Sequence, residues 1–411
     1  MSPVSAASSQ GRTDLLGRAL PTAPRYGTDS VADVLVSAAS RLRPVVEGAG
    51  GFEDRLGLSG RLAAAGLPAG PYRNVCVVLV DGLGESLLSG SLGHAPSLRR
   101  AAHLGTLDAA LPSTTAASLA ALGTGEPAGR TGMVGYDVVD PERGVVVNQL
   151  SGWDPQVVPE RWQPLPTVFE RLEEIADPVT VSMGTYEGSP LTRAALRGGR
   201  FEAARSTLAR VTRATDILST RTPNFMYLYW GELDQVGHRH GCGSDRWLEA
   251  LEDLDSGLRR LAARTGEETL ILLTADHGMV DVAPEDRIDY GAMPELTDGV
   301  RLTAGEPRMV QLHLEDPADR ARRDRLVQAW GAAFGDRAWI LDRDELIEAG
   351  YFGAGMRPGV RERIGDLIVA ARGPLALYDL RRTRPAALEM IGQHGSWTEA
   401  ERSVPLLALR R

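Results

Sequence analysis

The 411-residue sequence contains only two cysteines, Cys76 and Cys242. Two thiols are too few for a disulfide scaffold or a cysteine-type zinc site, so both are interpreted as unpaired. No apolar run reaches the roughly 18–20 residues that a membrane span needs, and residues 1–27 lack the apolar stretch of a secretory signal. A cytoplasmic protein with no membrane partner is therefore expected.

Acidic side chains outnumber basic ones. The chain has 45 Lys and Arg residues against 54 Asp and Glu residues, which gives a formal net charge of -9. Nucleic acid is not expected as a partner, because binding to its phosphates favours a basic surface. A small anionic substrate would need local positive charge, which bound metal ions can supply. The segment DGLG at 81–84 does not continue into the glycine fingerprint of a dinucleotide site.

Four apolar runs predict strands that are buried on both faces of a parallel sheet. They span residues 74–80, 224–230, 269–275 and 366–371. The segment Arg246–Ala263, between the second and third runs, has helical spacing and completes a strand–helix–strand unit. The predicted fold class is therefore α/β, with a mainly parallel central sheet and helices on both faces.

The chain is predicted to divide into three parts. Residues 1–70 form an N-terminal lead-in that packs on the core and contains a helix over Ser30–Leu42. Residues 71–285 and 360–411 form the α/β core. Residues 286–359 form a small inserted α+β cap, because RMVQLHLED (308–316) alternates like a half-exposed strand and Asp319–Phe334 has helical spacing.

Three carboxylates and three imidazoles are candidate metal ligands: Asp81, Asp234, His238, Asp276, His277 and His394. The three aspartates follow predicted strands, and the carboxyl ends of parallel strands form the edge where ligands bind. Asp234 and His238 are four residues apart, which places them on one side of a helical turn. Zinc binds imidazole nitrogen and carboxylate oxygen. Three carboxylates with two divalent ions would carry a charge of about +1, which suits a phosphate.

Hydroxyl groups at Ser113, Thr114 and Thr115 precede an Ala- and Leu-rich segment that ends in glycine, and this pattern predicts a short helix. Thr115 would then lie at a helix N-terminus, where backbone amides and the helix dipole favour a phosphoryl group. A coordinated metal would lower the pKa of its hydroxyl.

Each of these motifs has an ordinary explanation when taken singly. Asp81 fits a turn, the serine and threonines fit a helix cap, and Asp234 with His238 fits a surface ion pair. Their joint occurrence and order favour a metal site. The other histidines, His94, His103, His240 and His313, are expected to be structural or solvated. Glu232 is a weaker ligand candidate.

With these residues in this order, the sequence resembles the alkaline phosphatase superfamily, and within it the nucleotide pyrophosphatase/phosphodiesterase-like members. The resemblance implies one divalent ion held by Asp81, Asp276 and His277, with Thr115 alongside. It implies a second ion held by Asp234, His238 and His394. The resemblance and the mixed nitrogen and oxygen ligands favour zinc, and the same ligands would accept manganese.

In the phosphodiesterase branch the nucleophile lies in a P-T-K-T pattern that is followed some nine residues later by T-G. Here the residues 112–115 precede Thr124-Gly125 at that spacing, so the implied nucleophile is Thr115, which would form a phosphothreonine that is then hydrolysed. The sequence departs from the branch at Ala116, where an aromatic residue is usual. It also has Tyr136 in place of a phosphate-binding asparagine, and Tyr136 is the predicted substrate-binding residue.

The predicted function is a two-metal phosphoric ester hydrolase of the phosphodiesterase/nucleotide pyrophosphatase type, acting on a small anionic phosphate ester. A phosphomonoesterase, a phosphonate hydrolase or a phosphomutase of the same superfamily is the alternative, and a non-catalytic metal- or ligand-binding protein is a third. Tyr186, Trp153 and Tyr290 are candidate pocket walls, although core packing is the favoured interpretation of each. The oligomeric state is left open.

Overall fold

The computed structural model describes residues 12–43 and 51–410. A central sheet contains seven strands, in the spatial order Ala102–Asp108, Ser403–Ala408, Thr269–Thr274, Asn74–Val80, Asn224–Trp230, Asp177–Ser182 and Arg200–Ala203. Ser403–Ala408 is antiparallel to both of its neighbours, and the other six strands run in one direction.

The strand Asn74–Val80 lies at the centre of this sheet, and all seven of its residues are buried. It pairs in parallel with Asn224–Trp230 on one side and with Thr269–Thr274 on the other. Continuous apolar runs suit this position because both faces of a parallel sheet are covered. The three runs that were predicted as parallel strands here are confirmed.

Helices cover the two faces of the central sheet. On one face Asp245–Arg264 packs against Thr207–Leu218 and Glu232–His240, and on the other Thr115–Thr124 packs against Pro190–Ala195. The remaining α-helices are Val34–Ala39, Leu58–Ala64, Glu85–Gly90, Pro96–Arg100, Ala128–Thr131, Pro159–Trp162, Val168–Leu172, Arg320–Phe334, Arg343–Glu348 and Glu399–Arg402. The predicted α/β class, with helices on both faces of a mainly parallel sheet, is confirmed.

A second sheet is antiparallel throughout. Its six strands are, in order, Ala338–Asp342, Leu367–Ala371, Met309–Leu314, Val300–Glu306, Asp137–Asp140 and Val145–Asn148. The helix Arg320–Phe334 contributes to a separate apolar core on this sheet. Two short ladders pair Arg287–Asp289 with Ala376–Tyr378 and Val280–Asp281 with Gly392–Gln393. Short 3₁₀ helices span Val31–Asp33, Gly184–Tyr186, Pro284–Asp286, Tyr290–Ala292, Pro294–Leu296, Arg361–Arg363 and Pro385–Glu389.

Two strand predictions were wrong in detail. Leu367–Ala371 was assigned to the central parallel sheet but pairs with antiparallel neighbours in the second sheet. An apolar run that is buried on both faces looks the same in either sheet. Met309–Leu314 was predicted to be half-exposed, yet all six of its residues are buried because it is an inner strand. The second sheet thus combines strands within residues 286–359 with strands that precede and follow this range. The division of the chain into three parts stays a prediction.

The predicted helix over Ser30–Leu42 begins as the 3₁₀ turn Val31–Asp33 and continues as Val34–Ala39. Ser30 and Asp33 form a capping box at its start. Cys76 and Cys242 are buried and unpaired, as predicted. Within residues 12–43 and 51–410, no helix combines the length and hydropathy that crossing a bilayer requires.

Candidate metal centre and active site

The three candidate aspartates lie at the carboxyl ends of the three central strands. Asp81 directly follows Asn74–Val80, Asp276 follows Thr269–Thr274 after one residue, and Asp234 is in the first turn of Glu232–His240. The turn after Asp81 requires a glycine. Gly82 has φ +75°, and a Cβ there would lie 2.9 Å from the Met279 sulfur and 3.2 Å from Asp234 Cα. The Gly82 amide donates to Asp276 Oδ1 at 3.2 Å.

A first group of side chains surrounds Nε2 of His277. Asp81 Oδ1 lies 3.4 Å from this nitrogen and Asp276 Oδ2 lies 3.5 Å from it. The Thr115 hydroxyl lies 3.2 Å from the same nitrogen. All four residues are buried.

A second group surrounds the carboxylate of Asp234. Its Oδ1 lies 3.3 Å from His238 Nε2 and 3.8 Å from His394 Nε2. The possible ligand atoms of these three residues all lie within 4.8 Å of one another, and so do those of Asp81, Asp234 and His277. Asp234 therefore lies between the two groups, although the resemblance assigns it to one ion only. The ring of His394 stacks on that of His277 with centroids 3.6 Å apart.

The short ladder near the C-terminus explains how His394 reaches the site from so far along the chain. Gly392–Gln393 pairs with Val280–Asp281, directly after the loop that carries His277. The amide of Ile391 donates to the carbonyl of His238 at 2.8 Å.

The Nδ1 atom of each histidine is engaged by a backbone carbonyl. His238 contacts Gly392 O at 2.7 Å, and His394 contacts Ser113 O at 2.9 Å. His277 contacts its neighbour's carbonyl, Gly278 O, at 3.2 Å. A carbonyl can only accept a hydrogen bond, so Nδ1 carries the proton and Nε2 keeps its lone pair. This is the usual arrangement of metal-binding histidines.

One oxygen of each candidate aspartate is buried without a hydrogen-bond donor among the described residues. These oxygens are Asp81 Oδ1, Asp234 Oδ1 and Asp276 Oδ2. Burial raises the pKa of all three carboxyl groups, and the proximity of other carboxylates raises the pKa of Asp81 and Asp276 further. Burial lowers the pKa of His277 and His394. Unpaired buried charge is costly, so this donor set fits divalent cations.

The hydroxyl of Thr115 is positioned by its helix. Thr115 is the first residue of Thr115–Thr124, and the side chain of Thr114 caps that helix by accepting from Ala117 N. The preceding residue, Ser113, donates through its hydroxyl to Ser396 O at 2.6 Å. This hydrogen bond connects the segment that precedes Thr115 to the loop that contains His394.

Two cavities meet at the site, and both are lined by Thr115 and Asp234. The larger cavity has a volume of about 530 Å³ and includes Tyr136 and His394 in its wall. The smaller cavity has a volume of about 440 Å³ and includes Asp81 in its wall.

The candidate wall residues divide between these cavities. Tyr136 lines the larger cavity, and its backbone amide donates to Glu306 Oε2 at 3.0 Å. Tyr290 also lines the larger cavity, but it is 2% exposed and its ring packs on Trp330 in the core of the second sheet, so core packing was the right interpretation of Tyr290. Tyr186 is half-buried and lines the smaller cavity, so core packing was the wrong interpretation of that residue. Trp153 instead packs edge-to-face against Trp162 with ring centroids 6.4 Å apart.

The remaining candidates have other partners or environments. The carboxylate of Glu232 is bound on both oxygens by Arg210. His94 and His103 pair with glutamates on the surface, and His240 is exposed. His313 is buried in the second sheet.

Sequence reasoning missed Tyr229, whose hydroxyl donates to Asp81 Oδ2. The signal was present in the run NFMYLYW, because Tyr227 and Tyr229 occupy alternate positions of a buried strand and share one face. Glu306 was also missed. It lines the larger cavity, and its Oε1 is buried without a partner among the described residues.

The comparison with protein families agrees with this geometry. The sequence profile of the type I phosphodiesterase/nucleotide pyrophosphatase family matches residues 75–397. The chain belongs to this family. The matched segment contains all seven candidate metal and nucleophile residues and confirms the resemblance drawn from the sequence.

Curated relatives match shorter segments. A phosphopentomutase from Shewanella frigidimarina (strain NCIMB 400) is 32% identical over 148 residues, which are 34% of this chain and 34% of the relative. Venom phosphodiesterase 2 from Crotalus adamanteus is 34% identical over 92 residues, which are 20% of this chain and 11% of the relative. The chain therefore matches only about a third and a tenth of the lengths of these two relatives.

Solved structures share the fold over most of the chain. Murine ectonucleotide pyrophosphatase/phosphodiesterase 5 has a TM-score of 0.64 and 16% identity, covering 82% of this chain and 88% of that one. Phosphonoacetate hydrolase from Sinorhizobium meliloti 1021 has a TM-score of 0.63 and 19% identity, covering 82% and 90%. This chain thus has the fold of these two proteins.

Proposed function

We propose that this protein is a metal-dependent phosphodiesterase or pyrophosphatase that hydrolyses a small phosphate ester through Thr115. The observation that carries the proposal is the position of the Thr115 hydroxyl. It lies at a helix N-terminus, 3.2 Å from His277 Nε2, beside buried carboxylate oxygens that have no donor in the described part of the chain.

The donor set supports two divalent cations. Asp81, Asp276 and His277 would hold one beside Thr115, and Asp234, His238 and His394 would hold the other. Bound there, the cations would supply the positive charge that lowers the pKa of the Thr115 hydroxyl and neutralises the phosphoryl group. Zinc is proposed because the ligands mix imidazole and carboxylate, and manganese is the alternative.

The small number of arginines in the walls of the two cavities supports the same proposal. The sequence contains no lysine, so all 45 of its basic residues are arginines. Among the described residues, only Arg382 and Arg384 bring positive side chains to the walls of the two cavities. Arg382 is already paired with Asp137 at 2.7 Å. A phosphate at Thr115 therefore needs charge from another source.

The proposed reaction has two displacements. The Thr115 oxygen attacks phosphorus and loses its proton, while the bond from phosphorus to the departing alcohol or phosphate breaks and that group leaves with a proton. Amides at the start of Thr115–Thr124 would bind the phosphoryl oxygens. Water then cleaves the phosphothreonine, which restores the hydroxyl and releases the second product.

The two cavities favour a diester or a pyrophosphate over a simple monoester. A phosphorus atom beside Thr115 in a diester carries two substituents, and two cavities share Thr115 and Asp234 in their walls. The relatives span other reactions, however. One is a phosphopentomutase and one structural neighbour is a phosphonoacetate hydrolase, while an inactive variant of the murine protein is described in complex with AMP.

The test of the nucleophile is the variant Thr115→Ala with bis-p-nitrophenyl phosphate as substrate. We expect a loss of turnover of at least about a thousandfold at unchanged metal content, because removal of a covalent nucleophile leaves only binding and electrostatic effects. Thr114→Ser keeps the capping hydroxyl and should retain activity. Unchanged turnover in Thr115→Ala would overturn the assignment.

The substrate class is tested with two further compounds. Faster hydrolysis of bis-p-nitrophenyl phosphate than of p-nitrophenyl phosphate would support the diester assignment, and the reverse order would favour a phosphomonoesterase. Release of phosphate from phosphonoacetate would favour a phosphonate hydrolase. Metal binding with no hydrolysis of any ester would indicate a binding protein.

A further inference from the structure

The smaller cavity has an unusual wall for a site that handles phosphate. Among its described lining residues only Asp81 and Asp234 carry charge. Hydroxyl side chains are abundant in the wall, and they include Thr180, Ser182, Thr185, Ser189, Thr192 and Tyr227. Leu191, Leu196 and Phe201 supply apolar surface between them.

Part of this wall is the face of the central sheet itself. In the strand register Tyr227 pairs with Thr180, and Thr180 pairs with Phe201, so the three side chains share one face. Strands that are covered on both faces are ordinarily apolar there. The sequence instead places two hydroxyls in this row, beneath the cavity.

The Tyr227 hydroxyl is the clearest sign of a missing partner. Tyr227 is 1% exposed, and its hydroxyl has no hydrogen-bond partner among the described residues. Tyr229, two residues along the same strand, satisfies its own hydroxyl by donating to Asp81. Since a buried unpaired hydroxyl is destabilising, its retention suggests a ligand that supplies the partner.

The larger cavity differs in charge. Its wall contains Asp137, Glu306, Asp379, Arg382 and Arg384, whereas the smaller cavity has no charged group beyond the two site carboxylates among its described residues. A substrate with one charged and one uncharged substituent on phosphorus would therefore place the uncharged one in the smaller cavity.

We infer that the smaller cavity binds an uncharged, hydroxyl-rich substituent of the phosphate ester, such as a polyol or a sugar, with Tyr227 as a specificity-determining hydrogen-bond partner. This inference rests on the proposed phosphodiester hydrolysis. The phenol can both donate and accept, as a substrate hydroxyl requires. The apolar residues between the hydroxyls match the C–H faces of such a group.

The test compares three esters that share one leaving group: glycerol p-nitrophenyl phosphate, ethyl p-nitrophenyl phosphate and thymidine 5′-(p-nitrophenyl phosphate). We expect the glycerol ester to have the highest kcat/KM. Tyr227→Phe should lower kcat/KM for the glycerol ester about three- to tenfold and leave that for the ethyl ester unchanged, because one neutral hydrogen bond is lost. Tyr290→Phe, which changes a tyrosine of the larger cavity, should not separate these two esters.

The melting temperature provides a readout independent of activity. Tyr227→Phe should not lower it, because the hydroxyl has no hydrogen-bond partner within residues 12–43 and 51–410. Equal effects of Tyr227→Phe on the glycerol and ethyl esters, or a preference of the wild-type protein for the thymidine ester, would overturn the inference.

A failure of the proposed function gives a different result. If the wild-type protein hydrolyses none of the esters, the proposed reaction is wrong. Calorimetry with glycerol 3-phosphate and ethyl phosphate then decides the cavity assignment. Tighter binding of glycerol 3-phosphate that is lost in Tyr227→Phe supports it, and equal affinities overturn it.

Discussion

Arg308 and Glu401 form a bidentate ion pair in which both side chains are fully buried. Arg308 Nε lies 2.6 Å from Glu401 Oε1 and Nη2 lies 2.7 Å from Oε2. Arg308 directly precedes a strand of the second sheet, and Glu401 Oε1 also accepts from the amide of Ser396 at 3.0 Å. The pair thus connects the second sheet to the loop that carries His394.

Removal of one partner should be costly. Arg308→Met leaves an unpaired carboxylate in the interior, and we expect the free energy of unfolding to fall by about 3–5 kcal/mol in urea titrations. The exposed pair Arg361–Asp344 offers a control, since Arg361→Met should cost about 1 kcal/mol or less. If Arg308→Met and Arg361→Met lowered the free energy of unfolding equally, the buried pair would not stabilise the fold more than the exposed one. Arg308→Met/Glu401→Met should be less destabilised than Arg308→Met alone.

The hydroxyl of Tyr229 should tune metal affinity. It donates to Asp81 Oδ2, and loss of such a contact to a metal-ligating carboxylate typically weakens binding about 10- to 100-fold. Tyr229→Phe should therefore bind zinc more weakly in competition titrations with a chelator. Tyr227→Phe removes a hydroxyl from the same strand face without touching a carboxylate, and its zinc affinity should match the wild type. Equal affinities in all three proteins would contradict this role of Tyr229.

Two cations per chain are expected, and substitution of a single ligand histidine should remove only one of them. His394→Ala removes one ligand of the group around Asp234, so zinc bound after dialysis should fall from about two ions to about one. His240 is the matched control, because it lies two residues from His238 on the same helix but is exposed. His240→Ala should retain both ions. Full occupancy in His394→Ala would refute the ligand assignment.

The central sheet could be predicted because its strands are apolar without interruption and a strongly periodic helix separates two of them. Asn74–Val80 and Asp245–Arg264 are examples in which local pattern and tertiary role agree. Leu367–Ala371 shows the limit of this reasoning. Its five buried residues do not reveal which sheet they join, because pairing partners lie far away in the sequence.

The site shows the same division between local and long-range information. The spacing of Asp234 and His238 on one helix is visible in the sequence, and their side chains do approach each other. The position of His394 cannot be read from the sequence, because it depends on the pairing of Gly392–Gln393 with Val280–Asp281 and on the carbonyl of Ser113. Glu306 reaches the site only through the assembly of distant strands, so no local motif marks it. Tyr229 is marked by the alternation of tyrosines in its own strand, but its contact with Asp81 depends on strand pairing.

Acid should destabilise the protein through His313 in the second sheet. Burial lowers the pKa of His313 to about 4, below the value near 6.5 of an unfolded chain. The unfolded state therefore binds more protons between these values, and the stability that the neutral imidazole contributes is complete above pH 6.5 and is lost as the pH falls toward 4.

The loss attributable to His313 between pH 7 and pH 5 should be about 2 kcal/mol. The measurement is the free energy of unfolding of the wild-type protein and of His313→Leu in urea at both pH values. Any change in packing in the variant shifts both of its values alike, so only the difference in slope reports the imidazole. The wild-type protein should lose about 2 kcal/mol more than the variant over this interval. Parallel curves would show that the His313 imidazole is protonated equally in the folded and unfolded states.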